Sequence, residues 1–333
     1  MKKFIVTKTD EGQRLIKYSS RILDKAPMSV IRKALRKKNI DLNKKKADGN
    51  ELLKAGDVIQ IWFSDETFEK FMSSSENEGQ PGKSEIKSEK KVDKRLKEKF
   101  KDWLVYEDEN ILIINKPAGL LTQSDDSKEI SLNDILLGYY EDLADYRTFK
   151  PSICNRLDRN TSGMVIAGKT IKGLQKMNEI IKTREVRKIY KCIAFGEIKE
   201  AADLKGWLKK DKTKNTVRIY DNPTEDAVEI ETIVEPLIIF KKNGINFTLA
   251  EVELVTGRPH QIRAHLSHIG NPLMGDKKYG SRDSIVFSEK LSVRRQMLHA
   301  ARLEFPTMGE EFEALSEMVI EVPIPADMEK LVE

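Results

Sequence analysis

The apolar positions of the chain change their period as it runs. In residues 27–40, PMSVIRKALRKKNI, the apolar Ile31, Ala34 and Leu35 recur at helical spacing, while Arg32, Lys33, Arg36 and Lys37 take the other face. Ser29 is the expected N-cap. A basic turn from Lys44 to Gly49 follows, and Gly56-Asp57 turns into an extended run carrying Val58, Ile59, Ile61 and Phe63. Helix, turn and strand make a small α/β module, placed at residues 11–65. From about Asp65 to Glu98 the composition changes; Met72 to Lys99 is Ser, Gly, Glu and Lys with almost nothing apolar, which reads as a flexible linker over 66–99 that ends in a short charged helix.

A second domain, 100–328, begins near Trp103 with the apolar run Ile111 to Ile114 and a Lys-Pro-Ala-Gly turn. Strands are expected at Met164–Ala167, Ile189–Phe195, Ala227–Val234, Phe247–Val255 and Val319–Val322, and helices at Leu132–Tyr140, Gly173–Lys182 and His260–Ile269. Phe247 to Val255 alternates at period two. Strands dominate and helices intrude irregularly, so the fold class expected is α+β, around a mainly antiparallel sheet. No internal repeat is visible.

Composition narrows the setting. A chain of 333 residues suggests two domains at about 150 residues each. No apolar run approaches the roughly 18 residues that a membrane span needs. MKKFIVTKTD lacks an apolar region of signal-peptide length, and Cys154 and Cys192 form no CxxC pair, so a cytoplasmic, reduced chain is expected and no membrane partner. Charge is unevenly spread. From Arg14 to Lys46 there are 12 Lys and Arg against two acids, on a chain whose net charge is only +5. A basic block on an otherwise slightly acidic chain points to a polyanion partner.

Three stretches carry polar groups that a core would not want. In NRLDRNTSG, residues 155–163, Asp158 lies between Arg156 and Arg159 and is followed by Thr161, Ser162 and Gly163. A surface ion pair is the plain alternative. If 155–158 is extended, Arg156 and Asp158 share a face. A carboxylate near a guanidinium is held ionised, ready to be a nucleophile and poor as a general acid. The second stretch, VRKIYKCIAFG at 186–196, sets Tyr190 in a basic strand, where it packs, stacks on a base or handles a proton. The third, GRPHQIRAHLSHIGNPLMGDKKYG at 257–280, holds three of the four histidines with Arg258 and Arg263. His260, His265 and His268 lack the spacing of a metal site, with no i,i+4 pair and no HExxH, so no metal is expected. Arg263 is the better candidate, as a counter-charge to Asp158.

These three stretches resemble the signature motifs of the ribosomal large-subunit pseudouridine synthases of the RluA/RluC/RluD type. YEDENILIINKPAGLLTQ and QMLHAARLEF are similar to further segments of that family, and the match spans about residues 103–328 in the family's order. Residues 11–65 resemble the S4 RNA-binding module, departing from it at Ile16. By motif position the resemblance implies catalytic roles for Asp158, Tyr190 and Arg263, with Tyr190 the candidate to remove a proton. It implies RNA contacts for Arg156, Arg159, Thr161, Arg258 and His260 around the site, and for Arg32, Lys33, Arg36 and Lys37 in front. The family commonly has His where this chain has Asn155, which touches the subclass more than the activity. The activity implied is isomerisation of uridine to pseudouridine in large-subunit (23S) ribosomal RNA, without cofactor or metal, by a monomer. Two rivals stand beside it. A non-enzymatic RNA binder would keep its RNA affinity without Asp158. A glycoside hydrolase would need a second carboxylate about 5–10 Å away, and nothing in the sequence brings Asp276 or Glu251 near.

Overall fold

The structure, a computed structural model, describes residues 1–72, 92–127, 129–140, 149–211, 213 and 216–333. Its elements, in chain order, begin with β1 (Lys2–Ile5), α1 (Leu15–Ile22), α2 (Met28–Arg36), β2 (Ile40–Leu42), β3 (Lys45–Lys46), β4 (Val58–Ile61) and α3 (Asp65–Phe71). The four strands hydrogen-bond in the order β1-β4-β2-β3, all antiparallel. Ile31, Ala34 and Leu35 turn into the core beneath them, as their spacing requires, with Leu15, Ile59 and Ile61. Two expectations shift here. Pro27, with φ −56°, starts α2, so Ser29 lies inside the first turn and caps nothing. The sheet takes in β1, ahead of residue 11, and the core takes in Phe68 of α3, beyond residue 65.

Residues 73–91 of the expected linker lie outside the described residues. Its far end is helical: α4 (Lys94–Asp102) is capped by Asp93, buries Phe100, and sets that ring 4.9 Å from Tyr139. Next come β5 (Leu104–Glu107), β6 (Ile111–Lys116), α5 (Leu132–Tyr140), β7 (Ser152–Ile153), β8 (Ser162–Gly168) and α6 (Ile171–Lys182). The remainder is β9 (Arg187–Phe195), β10 (Ala202–Asp211), β11 (Thr216–Tyr220), β12 (Val228–Lys242), β13 (Ile245–Leu254), α7 (Gln261–His268), α8 (Arg282–Lys290), β14 (Leu298–Glu304), β15 (Val319–Glu321) and α9 (Ala326–Val332).

Two compact units result, and they divide the expected second domain. One holds residues 1–113, 123–154 and 166–178; the other holds 114–122, 155–165 and 179–333. In the second unit strands run in the order β11-β10-β12-β13-β9-β14-β8, with β15 against β14. Every pairing there is antiparallel except β8 with β14, which is parallel. Its core gathers Ile193, Phe247, Leu249, Met274, Phe287 and Met297. Phe247, Thr248, Leu249 and Ala250 are all buried, because β13 lies between neighbours and is covered on both faces.

The register that matters most is at the start of β8. Ala300 of β14 pairs with Gly163 on one side and with Tyr190 of β9 on the other. Tyr190 thereby reaches the neighbourhood of the Asp158 turn, although 32 residues separate the two in sequence. Gly163 is what allows the strands to meet. Its φ is +113°, and a Cβ there would run into the backbone nitrogen and carbonyl oxygen of Ala300. Gly163→Ala is therefore expected to cost about 2–4 kcal/mol through overpacking and backbone strain. A lowered urea midpoint, followed by circular dichroism, checks this; an unchanged midpoint would mean the strands part freely.

Candidate active site

Asp158 opens a tight turn, closed by the Thr161 amide donating to the Asp158 carbonyl at 3.0 Å. The peptide groups of this turn are held by side chains from far along the chain. Thr122 Oγ1 donates to the Leu157 carbonyl at 2.7 Å and accepts from the Leu157 amide at 3.2 Å. The Arg159 carbonyl accepts from Lys116 Nζ at 3.1 Å and from the Gly119 amide at 2.9 Å. Arg295 Nη1 reaches the Asn160 carbonyl at 3.4 Å, and Gln296 Nε2 donates to Thr161 Oγ1 at 3.3 Å. Ser162 Oγ lies 2.9 Å from His299 Nδ1. A turn with its polar backbone satisfied in this way has little freedom, so the Asp158 side chain is aimed by its surroundings.

The guanidinium that meets Asp158 is not one of its sequence neighbours. Arg263, on α7, donates from Nη1 to Asp158 Oδ2 at 2.7 Å. The same guanidinium grips Asp276 from Nε at 2.7 Å and from Nη2 at 2.8 Å. Asp276 is 2% exposed, and its Oδ1 also accepts the amides of Lys278 and Tyr279 at 3.0 and 3.1 Å. The Tyr279 ring lies under Arg263, 5.1 Å from Cζ to the centroid. Burial alone lowers the pKa of Arg263, but Asp276 and Asp158 outweigh it and the net shift is upward. This arginine is a permanent cation.

His260 stands at the entrance of α7 with left-handed backbone, φ 56° and ψ 13°. Its Nδ1 lies 2.8 Å from Tyr279 Oη, and its Nε2 lies 3.8 Å from Asp158 Oδ1. Burial lowers its pKa, with Arg263 and Lys278 acting in the same direction against the pull of Asp158. Tyr190 is buried, and burial and the charge of Asp158 push its phenol above its ordinary pKa. It is a neutral phenol at physiological pH. As a neutral phenol it can stack and donate a hydrogen bond, and the proton-removing role expected for it would first require its own ionisation.

The expected RNA contacts fall in different places. Arg156 and Arg258 are exposed, and Arg159 is half-buried. Thr161 is withdrawn: it is 2% exposed and its hydroxyl serves Gln296, so it offers no surface to a ligand. In the other unit Arg32, Lys33, Arg36 and Lys37 are exposed, and Arg32 and Arg36 line a cleft of about 920 Å³ with Arg14 and Lys17. The three histidines of the 257–280 stretch go to separate partners: His260 to Tyr279, His265 to Thr232 and His268 to Asp221. Among the described residues no group of three or more His, Cys, Asp or Glu is placed to hold a metal ion. No helix among them is long and apolar enough to cross a membrane.

Lys116, Asp276, Tyr279, Arg295 and Gln296 were not singled out by the sequence for this site. Three of them lay in stretches already marked by their turn chemistry, Lys116 in Lys-Pro-Ala-Gly and both Asp276 and Tyr279 in the Gly-Asp-Lys-Lys-Tyr-Gly turn. Lys116 is fully buried, and its Nζ donates to the carbonyls of Pro117, Leu120 and Arg159 at 3.0, 2.9 and 3.1 Å. Burial lowers its pKa to about 7, opposed by Asp158 and assisted by Arg295. In its protonated form the side chain has one N–H for each of the three carbonyls, which ties the 117–120 turn to the turn of Asp158.

A family model described as RNA pseudouridylate synthase matches residues 110–268. An uncharacterized RNA pseudouridine synthase of Mycoplasma genitalium is 32% identical over 311 residues, covering 92% of this chain and 90% of the relative. Ribosomal large subunit pseudouridine synthase C of Rickettsia felis is 32% identical, covering 84% and 86%, and the protein of the same name from Vibrio cholerae is 27% identical, covering 96% and 92%. The solved structure of human RNA pseudouridylate synthase domain containing 4 superposes with a TM-score of 0.56 at 22% identity, over 70% of this chain and 93% of that one. That likeness is one of fold.

The buried lysine yields a pH signature. The folded group releases its proton near pH 7 and an unfolded lysine at 10.5. Between those values the unfolded chain holds the extra proton, so stability rises as pH climbs through the window. Lys116→Met is expected to abolish this rise and to slow turnover, because the tie between the two turns is lost. Chemical denaturation of both proteins at pH 6.5, 8 and 9.5 checks it; parallel pH profiles would refute the assignment.

Proposed function

Because this chain belongs to the RNA pseudouridine synthases, we propose that it isomerises uridine to pseudouridine in large-subunit ribosomal RNA, with Asp158 as the catalytic carboxylate. The observation that carries the reading is the fork of Arg263, which holds Asp158 on one oxygen from Nη1 while donating from Nε and Nη2 to Asp276. The three groups together carry a net charge of −1, so Asp158 is oriented by a cation without being neutralised by it. Oδ2 is engaged and Oδ1 is left facing His260.

The chemistry asks for such a group. The bond between N1 of uracil and C1′ of ribose breaks, the base turns, C5 is joined to C1′ with loss of the C5 hydrogen as a proton, and N1 gains a proton, so the product is an isomer of the substrate. An ionised carboxylate serves this either as a nucleophile at C1′, as in retaining glycosidases, or as a base at C2′. Tyr190, neutral and close enough to feel the charge of Asp158, is assigned to pack against the detached base and to hold a proton there. A uridine inside a helix has to be flipped out to reach the site, and the exposed Arg156 and Arg258 are assigned to the flanking phosphates.

Ribosomal RNA is favoured as the substrate by the names of the Rickettsia felis and Vibrio cholerae relatives, which cover 84% and 96% of the chain. The basic cleft of residues 1–72 supports it as well. We read that module as S4-like, and its Arg14, Lys17, Arg32 and Arg36 as the phosphate grip. Of the rivals, the hydrolase now has a second carboxylate beside the first, since Arg263 joins Asp276 to Asp158. Asp276 is nevertheless ill suited to be its acid: it is buried, chelated by a guanidinium and bonded to two amides.

Release of tritium from ribosomal RNA labelled at C5 of uridine tests the proposal. Wild type is expected to release it, and Asp158→Asn to lose at least about a thousandfold in rate while still binding the RNA. Equal release by the variant would overturn the role of Asp158. Release from transfer RNA alone would overturn the ribosomal substrate. Separately, Arg32→Ala with Arg36→Ala is expected to weaken binding and to lower the slope of log K against log salt by about two. An unchanged slope would remove the module from the RNA-binding surface.

A further inference from the structure

Asp158 Oδ1 faces one side chain that sequence reasoning had assigned to RNA, His260. Its protonation follows from a hydrogen-bond count. Tyr279 Oη accepts from the Val217 amide at 2.9 Å, where the backbone can only donate. The remaining partner of Tyr279 Oη among the described residues is His260 Nδ1, at 2.8 Å. For the phenol proton to be used in this half-buried place, it must point at Nδ1, which then acts as an acceptor. A neutral imidazole that accepts at Nδ1 carries its proton on Nε2. That is the nitrogen facing Asp158.

We infer that Tyr279 and His260 are positioning residues for Asp158: Val217 N–H, Tyr279 O–H and the His260 ring form a chain of donors that fixes His260 as the neutral Nε2–H tautomer, aimed at Oδ1. The inference rests on the reading of Asp158 as the catalytic carboxylate and extends it to the second oxygen. The charged and titratable groups around the ring are Asp158, Asp276, Arg263, Lys278 and Tyr279. Burial, Arg263 and Lys278 all disfavour a second cation there, which keeps the ring neutral. A neutral donor steers Oδ1 while leaving the carboxylate its charge, whereas an imidazolium would blunt it. The left-handed backbone of His260 is held by the first turn of α7, where the Ala264 amide donates to the His260 carbonyl at 3.0 Å. The ring's origin is thus as fixed as its proton.

Two-bond ¹H–¹⁵N spectra of the full-length protein labelled in its histidine rings distinguish the two neutral tautomers and the imidazolium. The His260 signals are identified by their loss in His260→Gln. The expected result is Nε2–H at pH 7 in wild type. Tyr279→Phe, which keeps the ring under Arg263, is expected to remove that preference, lower kcat about tenfold and leave KM unchanged. His260→Gln, which retains an N–H donor, is expected to keep more activity than His260→Ala. An Nδ1–H tautomer or an imidazolium at pH 7 in wild type would overturn the inference, as would a Tyr279→Phe defect confined to KM. Because the tautomer is read without turnover, the expected tautomer beside a fully active Asp158→Asn would refute the catalytic reading and leave the donor chain standing.

Discussion

One guanidinium shared by two carboxylates is the constraint around which the second unit is arranged. Arg263 is buried, and a lone buried cation would be prohibitively costly, so it must be paired. A single acid in a one-to-one pair would satisfy it but would use up the charge of Asp158. Asp276 changes that balance. Held by two amides of its own turn, it takes two of the three donors that Arg263 offers to the pair of acids and leaves one for Asp158. The order of strengths follows from burial: Asp276, fully enclosed, is the structural anchor, and Asp158, partly open, is the acid left accessible.

Orientation of the acid then has to be maintained against the mobility of a turn. The Asp158 turn is an irregular connection leading into a buried strand, and no ladder of backbone bonds runs through it. Side chains substitute for the ladder. Lys116 and Arg295 supply donors to successive carbonyls, at Arg159 and Asn160, and Thr122 bonds both polar groups of Leu157. Arg295 is itself fixed by Asp327 of α9, at 2.6 and 2.7 Å, so a helix near the end of the chain restrains the turn from a distance of more than a hundred residues. The bonds of the Arg295 guanidinium are charge-assisted, the stronger sort.

Much of this was legible in the sequence, for reasons that can be named. Period and length revealed α2, α5, α6, α7, β6, β9 and β13, because each has an apolar face or run long enough to stand out. Asp158 was legible as a charged candidate, and Arg263 as one possible counter-charge beside the adjacent Arg156 and Arg159. What stayed hidden was long-range. The sequence could not tell which guanidinium meets Asp158, since Arg156 and Arg159 are adjacent and Arg263 comes 105 residues later. Adjacency is a poor guide at a turn, where neighbouring side chains diverge. β10 was missed because Lys205, Lys209 and Lys210 mask its period, while β14, LHAARLE, is built of residues with good helical propensity and becomes a strand only by lying between β8 and β9. Lys116 gave no sign, since a lysine after an apolar strand is ordinarily a solvated end, and only its three carbonyl acceptors reveal it as buried structure.

The separation of arginines into two sets has a consequence for an enzyme acting on a polyanion. Were Asp158 held by Arg156 and Arg159, as adjacency suggests, each arriving phosphate would compete for the cations that aim the carboxylate. Substrate binding would then disturb the group it needs. The structure avoids that conflict by drawing the counter-charge from α7 and locking it from behind with Asp276, out of reach of a phosphate. Arg156 and Arg258, at the surface, are left for the RNA in the reading proposed here. Binding strength and carboxylate alignment can then vary independently, so a change in the outer arginines alters affinity without retuning Asp158.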